Sequence, residues 1–88
     1  MGLNKSYILK SIGNDHMIIP LVDGGYDMSK VFNINEVGAL IYKALLDDKS
    51  DDEILELILN EYDVDKAVAM KDILDFKNSL IEKGIYNA

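Results

Sequence analysis

The sequence predicts an α+β domain of winged-helix-like architecture, a three-stranded antiparallel sheet followed by three helices. Two patterns carry that expectation. Up to residue 34 the chain alternates β-branched and aromatic residues with polar ones, broken by Gly-Asn-Asp and Asp-Gly-Gly turns. From Val37 onward the apolar residues fall at helical spacing instead. Nothing between the two halves reads as a linker or a repeat, so residues 1–88 form a single domain, with a core only just large enough to fold alone.

The first strand is expected at 6–12 (SYILKSI) and the second at 16–22 (HMIIPLV). Gly13-Asn14-Asp15 joins them, with residues that tolerate the positive φ of a tight hairpin. Pro20 cannot donate to a ladder and belongs at an edge, a bulge or a strand end. A third strand is expected over 28–34 (MSKVFNI), with Phe32 and Ile34 facing inward. This strand runs almost directly into a helix. Asn35 can cap the first turn, and Asn33 with Glu36 is a competing capping box. Val37, Leu40, Ile41, Ala44 and Leu45 form the apolar stripe of helix one. Gly38, inside it, costs about 1 kcal/mol relative to alanine and reads as room for a closely packed neighbour.

Helix two begins at Ser50-x-x-Glu53, a capping box, with Asp51 and Asp52 favoured by the helix dipole. It carries Ile54, Leu55, Leu57, Ile58 and Tyr62. Helix three is expected from about Lys66 to Lys83, with Gly84 as its C′ residue and Ile85 folding back. On this helix Ala69, Ile73, Phe76 and Leu80 make a core arc, while Met70, Leu74 and Ile81 lie beside it, with Lys77 between. The apolar arc spans roughly 160°, wider than simple burial requires. Either the helix is buried on two sides, or the flank around Met70 and Leu74 lines a groove, where a pliable methionine suits variable side chains.

Composition excludes more than it identifies. There is no cysteine, hence no disulfide, zinc knuckle or thiol nucleophile, which fits a reducing, cytoplasmic setting. No apolar run is long enough to span a membrane, and no secretory signal pattern stands at the start. MGLNKS matches the loose myristoylation pattern, six residues of low specificity. The net charge of −7 lies wholly in residues 47–88, which hold twelve acids against five lysines. With no arginine and an acidic balance, the chain lacks what phosphate and base recognition use. His16 is the single histidine, and no nucleotide-binding or zinc-protease motif occurs. The acidic run at 47–53 lacks the glycine and spacing of a calcium loop. No cofactor and no catalytic residue are expected. Lys49-Ser50-Asp51 also differs from the Asp-Ser-Leu of acyl carrier proteins.

In order and spacing these residues resemble the PqqD-like proteins, the stand-alone form of the RiPP recognition element. The resemblance rests on Ile34-Asn35 entering Gly38-Ala39-Leu40-Ile41-Tyr42, with Tyr42 where tryptophan is common, and on Ser50-Asp51-Asp52-Glu53 through Tyr62-Asp63-Val64-Asp65. Asp72-Ile73, Phe76, Leu80 and Gly84 complete it, so that it covers about residues 7–86. It implies a non-catalytic module. The leader segment of a ribosomally made precursor peptide adds as a strand beside the third strand, next to helix three, and is presented to a separate modifying enzyme, commonly a radical SAM protein. Ser29, Lys30, Val31, Phe32 and Asn33 are then expected to pair with the peptide, and Met70, Ile73, Leu74 and Lys77 to wall the groove. Only Lys30 defends that edge with a charge. Two other readings stay open: a winged-helix DNA-binding regulator, which the missing arginines disfavour, and a structural or dimerising subunit whose edge is covered in a homodimer.

Overall fold

The computed structural model describes residues 2–87. Its elements are β1 (Gly2–Leu3), β2 (Tyr7–Ile12), β3 (Asp15–Val22), β4 (Gly25–Tyr26), β5 (Phe32–Ile34), α1 (Glu36–Leu46), α2 (Asp51–Glu61), α3 (Lys66–Glu82) and β6 (Tyr86–Asn87). The α+β class and the three helices match the expectation.

β2 and β3 pair antiparallel from Tyr7↔Pro20 to Ile12↔Asp15, leaving the two-residue loop Gly13-Asn14. Only Gly13 takes positive φ, at 61°, as a glycine in the first central position of a type II′ hairpin does. β4 and β5 both pair with the other side of β3. The third strand is therefore interrupted. Tyr26 pairs with Leu21 and Phe32 with Ile18, so the five residues 27–31 lie opposite only two on β3, Ile19 and Pro20.

The surplus is taken up at Met28–Lys30, which the sequence places in a continuous strand and the structure folds as one turn of 3-10 helix. Asp27 is the cause. Its carboxylate accepts from both the backbone N–H and the hydroxyl of Ser29, and its carbonyl accepts from Lys30 N–H. This local side-chain alternative outcompetes the ladder. The Ser29 hydroxyl bond also holds the Asp27 carboxyl below its usual range. Pro20 sits opposite the interruption. Its carbonyl accepts from Asp27 N–H, so its nitrogen faces the same side, where no ladder bond is lost.

β1 and β6, which the alternation pattern does not reveal because each is two residues long, pair antiparallel and tie the ends of the described chain together. The core lies between the sheet face carrying Leu9, Ile18, Phe32 and Ile34 and the helices. Tyr42, Ile41, Ile54, Ile58, Ile73 and Leu80 are its fully buried large side chains from the helices. The predicted stripe of α1 omits Ala39 and Tyr42. Both are buried, because α1 is packed on more than one side. Both sequence-predicted caps form: Asn35 Oδ1 accepts from Gly38 N–H, and Ser50 and Glu53 make the reciprocal box. α3 ends in a Schellman motif, with Ile85 N–H donating to Leu80 O, Gly84 N–H to Ile81 O, and Gly84 at φ 73°.

Candidate functional site

β5 is paired on one side only; among the described residues no strand covers its other edge. The direction of its free groups follows from β3. Leu21 N–H donates to Ser6 O on the β2 side, and Pro20 O accepts from Asp27 on the β4 side. Alternation along β3 then turns Ile18 and His16 toward β5, so their partners Phe32 and Ile34 face β3. Asn33, between them, directs its N–H and C=O outward to the open edge. Its side chain lies on the outer sheet face and is exposed, while Phe32 and Ile34 are half-buried against the core.

The strand-to-helix junction fixes this edge against α3. Asn35 ends the strand and caps α1 in one step, its Oδ1 2.7 Å from Gly38 N. A Cβ at Gly38 would lie 3.0 Å from Phe76 Cε1 and 3.3 Å from Ile34 Cβ. Glycine therefore lets α1, the end of β5 and the middle of α3 meet. The expectation of a close neighbour at Gly38 is met, and the neighbour is Phe76. At the other end of β5, Lys83 holds its ammonium 4.5 Å from the centre of the Phe32 ring. The open strand thus runs antiparallel to α3, from Lys83 to Phe76 and on toward Asp72.

Two hollows flank it. The larger, about 490 Å³, lies at the start of β5 between Tyr7, Pro20, Val31, Phe32 and Ile85, with Lys30 and Lys83 at its rim. The smaller, about 240 Å³, lies past its end between Asn35, Val37, Gly38 and Phe76, with Asp72, Asp75 and Ser79 on the α3 side. A further hollow of about 550 Å³ opens on the opposite side of α1, between the β2–β3 turn, α1 and α2. His16 borders it and shares a 2.7 Å hydrogen bond with the Ser11 hydroxyl. Among the described residues no cluster of His, Cys, Asp or Glu is arranged to hold a metal ion, and no helix is long and apolar enough to cross a membrane.

The sequence-predicted residues divide accordingly. Lys30, Val31, Phe32 and Asn33 come together at the open edge. Ser29 does not belong to the strand; its hydroxyl and N–H are engaged by Asp27. Ile73 is fully buried in the core and has no surface to offer. Met70, Leu74 and Lys77 lie on the flank of α3 turned away from β5. Lys77 pairs with Asp51 at the start of α2, 2.9 Å away, and sits 5.5 Å from the Tyr86 ring. Met70 is half-buried against the core. The wide apolar arc of α3 thus has two ends, and the one facing β5 is that of Phe76, Ser79 and Lys83. A helical wheel cannot tell the ends apart. The usable signal in the sequence is Gly38, whose need for a close neighbour marks a contact that the structure assigns to the Phe76 ring.

Comparison with solved structures finds the same fold. One neighbour, described as "TbiB1 in Complex with the TbiA(beta) Leader Peptide", superposes with a TM-score of 0.79 at 26% identity, covering 100% of this chain and 96% of that one. A second, "Lasso peptide synthetase B1 complexed with the leader peptide", gives a TM-score of 0.79 at 23% identity, covering 98% and 95%. A comparison with curated proteins found no match. The family described as coenzyme PQQ synthesis protein D (PqqD) matches residues 16–85. With that match spanning the open edge, the glycine junction and all three helices, the chain belongs to the PqqD family.

Proposed function

We propose that this protein binds the leader segment of a ribosomally made precursor peptide as an added strand on β5 and presents it to a separate modifying enzyme. The observation that carries this is the open edge of β5, with the Asn33 backbone facing out and α3 held beside it. Strand addition supplies affinity through main-chain hydrogen bonds and specificity through pockets for alternate side chains. Two such pockets flank this edge. Membership of the PqqD family supports the reading, and so does the leader peptide in the complex of the 26%-identical neighbour.

In this reading Val31, Phe32 and Asn33 pair with the peptide, Lys30 rims its path, and Phe76, Ser79 and Lys83 form the wall. They take the place of Met70, Ile73, Leu74 and Lys77. The module is non-catalytic and cytoplasmic, and the chemistry belongs to its partner enzyme, a radical SAM protein by the family resemblance.

The test is an amide NMR titration with the leader of the precursor peptide encoded nearest this gene. Shifts concentrated at residues 31–35 and at Phe76, Ser79 and Lys83 are the expected result. Shifts confined to the Met70–Lys77 flank or to the outer sheet face overturn the placement. Asn33→Pro removes the outward donor while leaving the β3 ladder intact, as an edge strand allows. It should weaken binding about tenfold, the loss expected from one or two ladder bonds. Sedimentation of the free protein decides whether a second copy covers the edge instead.

A further inference from the structure

The open edge is not electrically uniform, and the order of its charges follows from the topology. At the start of β5 the charged groups on the rim are Lys30, Lys83 and Asp27, two cations against one anion. Past the end of β5 they are Asp72 and Asp75. Asp75 is partly neutralised by Lys71, 2.7 Å away, and the Asp72 carboxylate also stands near that ammonium, though among the described residues it makes no ion pair of its own. The groove is therefore positive at one end and negative at the other. The whole molecule, at −7, adds a field that draws in cationic segments.

The strand register converts this into a sequence pattern. A peptide residue opposite Asn33 shares the outer face with it, so the residues before and after point toward α3. Every pairing in the sheet is antiparallel, and an antiparallel newcomer meets Ile34 first and Phe32 two residues later. Resting on the reading above, we infer that the peptide this groove selects carries a basic side chain opposite Ile34, an apolar side chain two residues on opposite Phe32, and a carboxylate after it. The methylenes of the basic residue lie along the Phe76 ring while its charge reaches Asp72 and Asp75. The apolar residue enters the larger hollow, and the carboxylate meets Lys30 and Lys83.

The probe is a random dodecapeptide library displayed on messenger RNA and selected against the wild-type protein, against Lys30→Glu/Lys83→Glu, and against Asp72→Lys/Asp75→Lys. All four side chains are exposed, so the variants should fold; Lys83→Gln and Asp72→Asn serve where a reversal disturbs α3. Wild-type selection is expected to enrich basic-x-apolar followed by an acid. The lysine reversal should replace the acid by a base, the aspartate reversal should replace the base by an acid, and neutral variants should lose the preference. A selected peptide should bind the reversed protein roughly fivefold more weakly per end, the upper range for exposed pairs.

Enrichment of apolar residues without ordered charges, or of the acid ahead of the base, overturns this inference. In either case groove binding still stands if shifts of a selected peptide fall at residues 31–35 and at Phe76, Ser79 and Lys83. No enrichment, or enriched peptides that shift other surfaces, defeats the groove reading and this inference with it.

Discussion

At the scale of single residues, Tyr42 and Gly38 each hold something in tension. Tyr42 is fully buried, and its hydroxyl finds no hydrogen-bond partner among the described residues. Burial pushes the phenol above the usual tyrosine value, because the charged form loses its hydration. An unpaired buried hydroxyl costs on the order of 1–3 kcal/mol. Tyr42→Phe should therefore raise stability by about 1 kcal/mol, a Tm increase of roughly 4–8 °C in a domain of this size. A lower melting temperature in calorimetry would show that the hydroxyl finds a partner in solution. Gly38 trades helix propensity for contact. Alanine gains about 1 kcal/mol in an unhindered helix, but here its methyl meets Phe76 at 3.0 Å and Ile34 at 3.3 Å. Overpacking of this kind costs about 1–3 kcal/mol, so Gly38→Ala should be net destabilising by about 1 kcal/mol. In a Phe76→Leu background the ring edge is gone and the sign should reverse. A double-mutant cycle by urea denaturation measures that coupling; additive effects would mean the helices already move apart at no cost.

At the scale of elements, the legible features were those written in local chemistry. Ser50 and Glu53 announce the start of α2, Gly84 the end of α3, and Asn35 the start of α1, and each forms its expected bonds. The misread features depend on competition or on assembly. MSKVFNI alternates like a strand, yet Asp27 closes a turn first, its carboxylate on Ser29 and its backbone carbonyl on Lys30. The groove side of α3 is set by where α2 packs, through contacts such as Lys77 with Asp51, which no periodicity contains. Leu74, 48% exposed on that far flank, gives the discriminating variant. Leu74→Asp should leave both peptide affinity and fold within about twofold and 0.5 kcal/mol of wild type, as surface changes do; a large loss of affinity would put the groove on the Met70 side after all. The cap of α2 also couples stability to pH. Bonds from the Ser50 backbone and hydroxyl hold the Glu53 carboxyl below its ordinary value of 4.5. A carboxyl lowered by folding contributes stability that is complete above that ordinary value and is lost as pH falls through the lower folded one. Thermal melts from neutral pH downward should show α2 loosening only in that acid window, and Glu53→Gln should remove this part of the pH dependence while leaving the rest.

At the scale of the whole molecule, the two ends of the described chain are clasped together beneath the helices. β1 pairs with β6, Asn4 N–H donates to Ile85 O at 2.7 Å, and the Asn4 amide reaches Gly84 O at 3.3 Å. Leu3 and Tyr86 pack on the same core that receives Ile85. A chain this short has little core to spare, so a clasp that partly buries one further leucine and locks the end of α3 matters to the global balance. It also bears on the groove, because Lys83 and Ile85, on either side of Gly84, border the hollow at the start of β5. Removing residues 1–4 should cost about 1 kcal/mol, the scale of one half-buried leucine side chain, and should free the residues after α3. The two consequences separate in measurement. Calorimetry reads the first as a lower Tm. Peptide affinity, taken well below that Tm where the protein is folded, reads the second. Weakening confined to peptides that use the Lys83 end is the expected pattern. Unchanged affinity for every peptide would show that α3 holds the groove without help from the clasp.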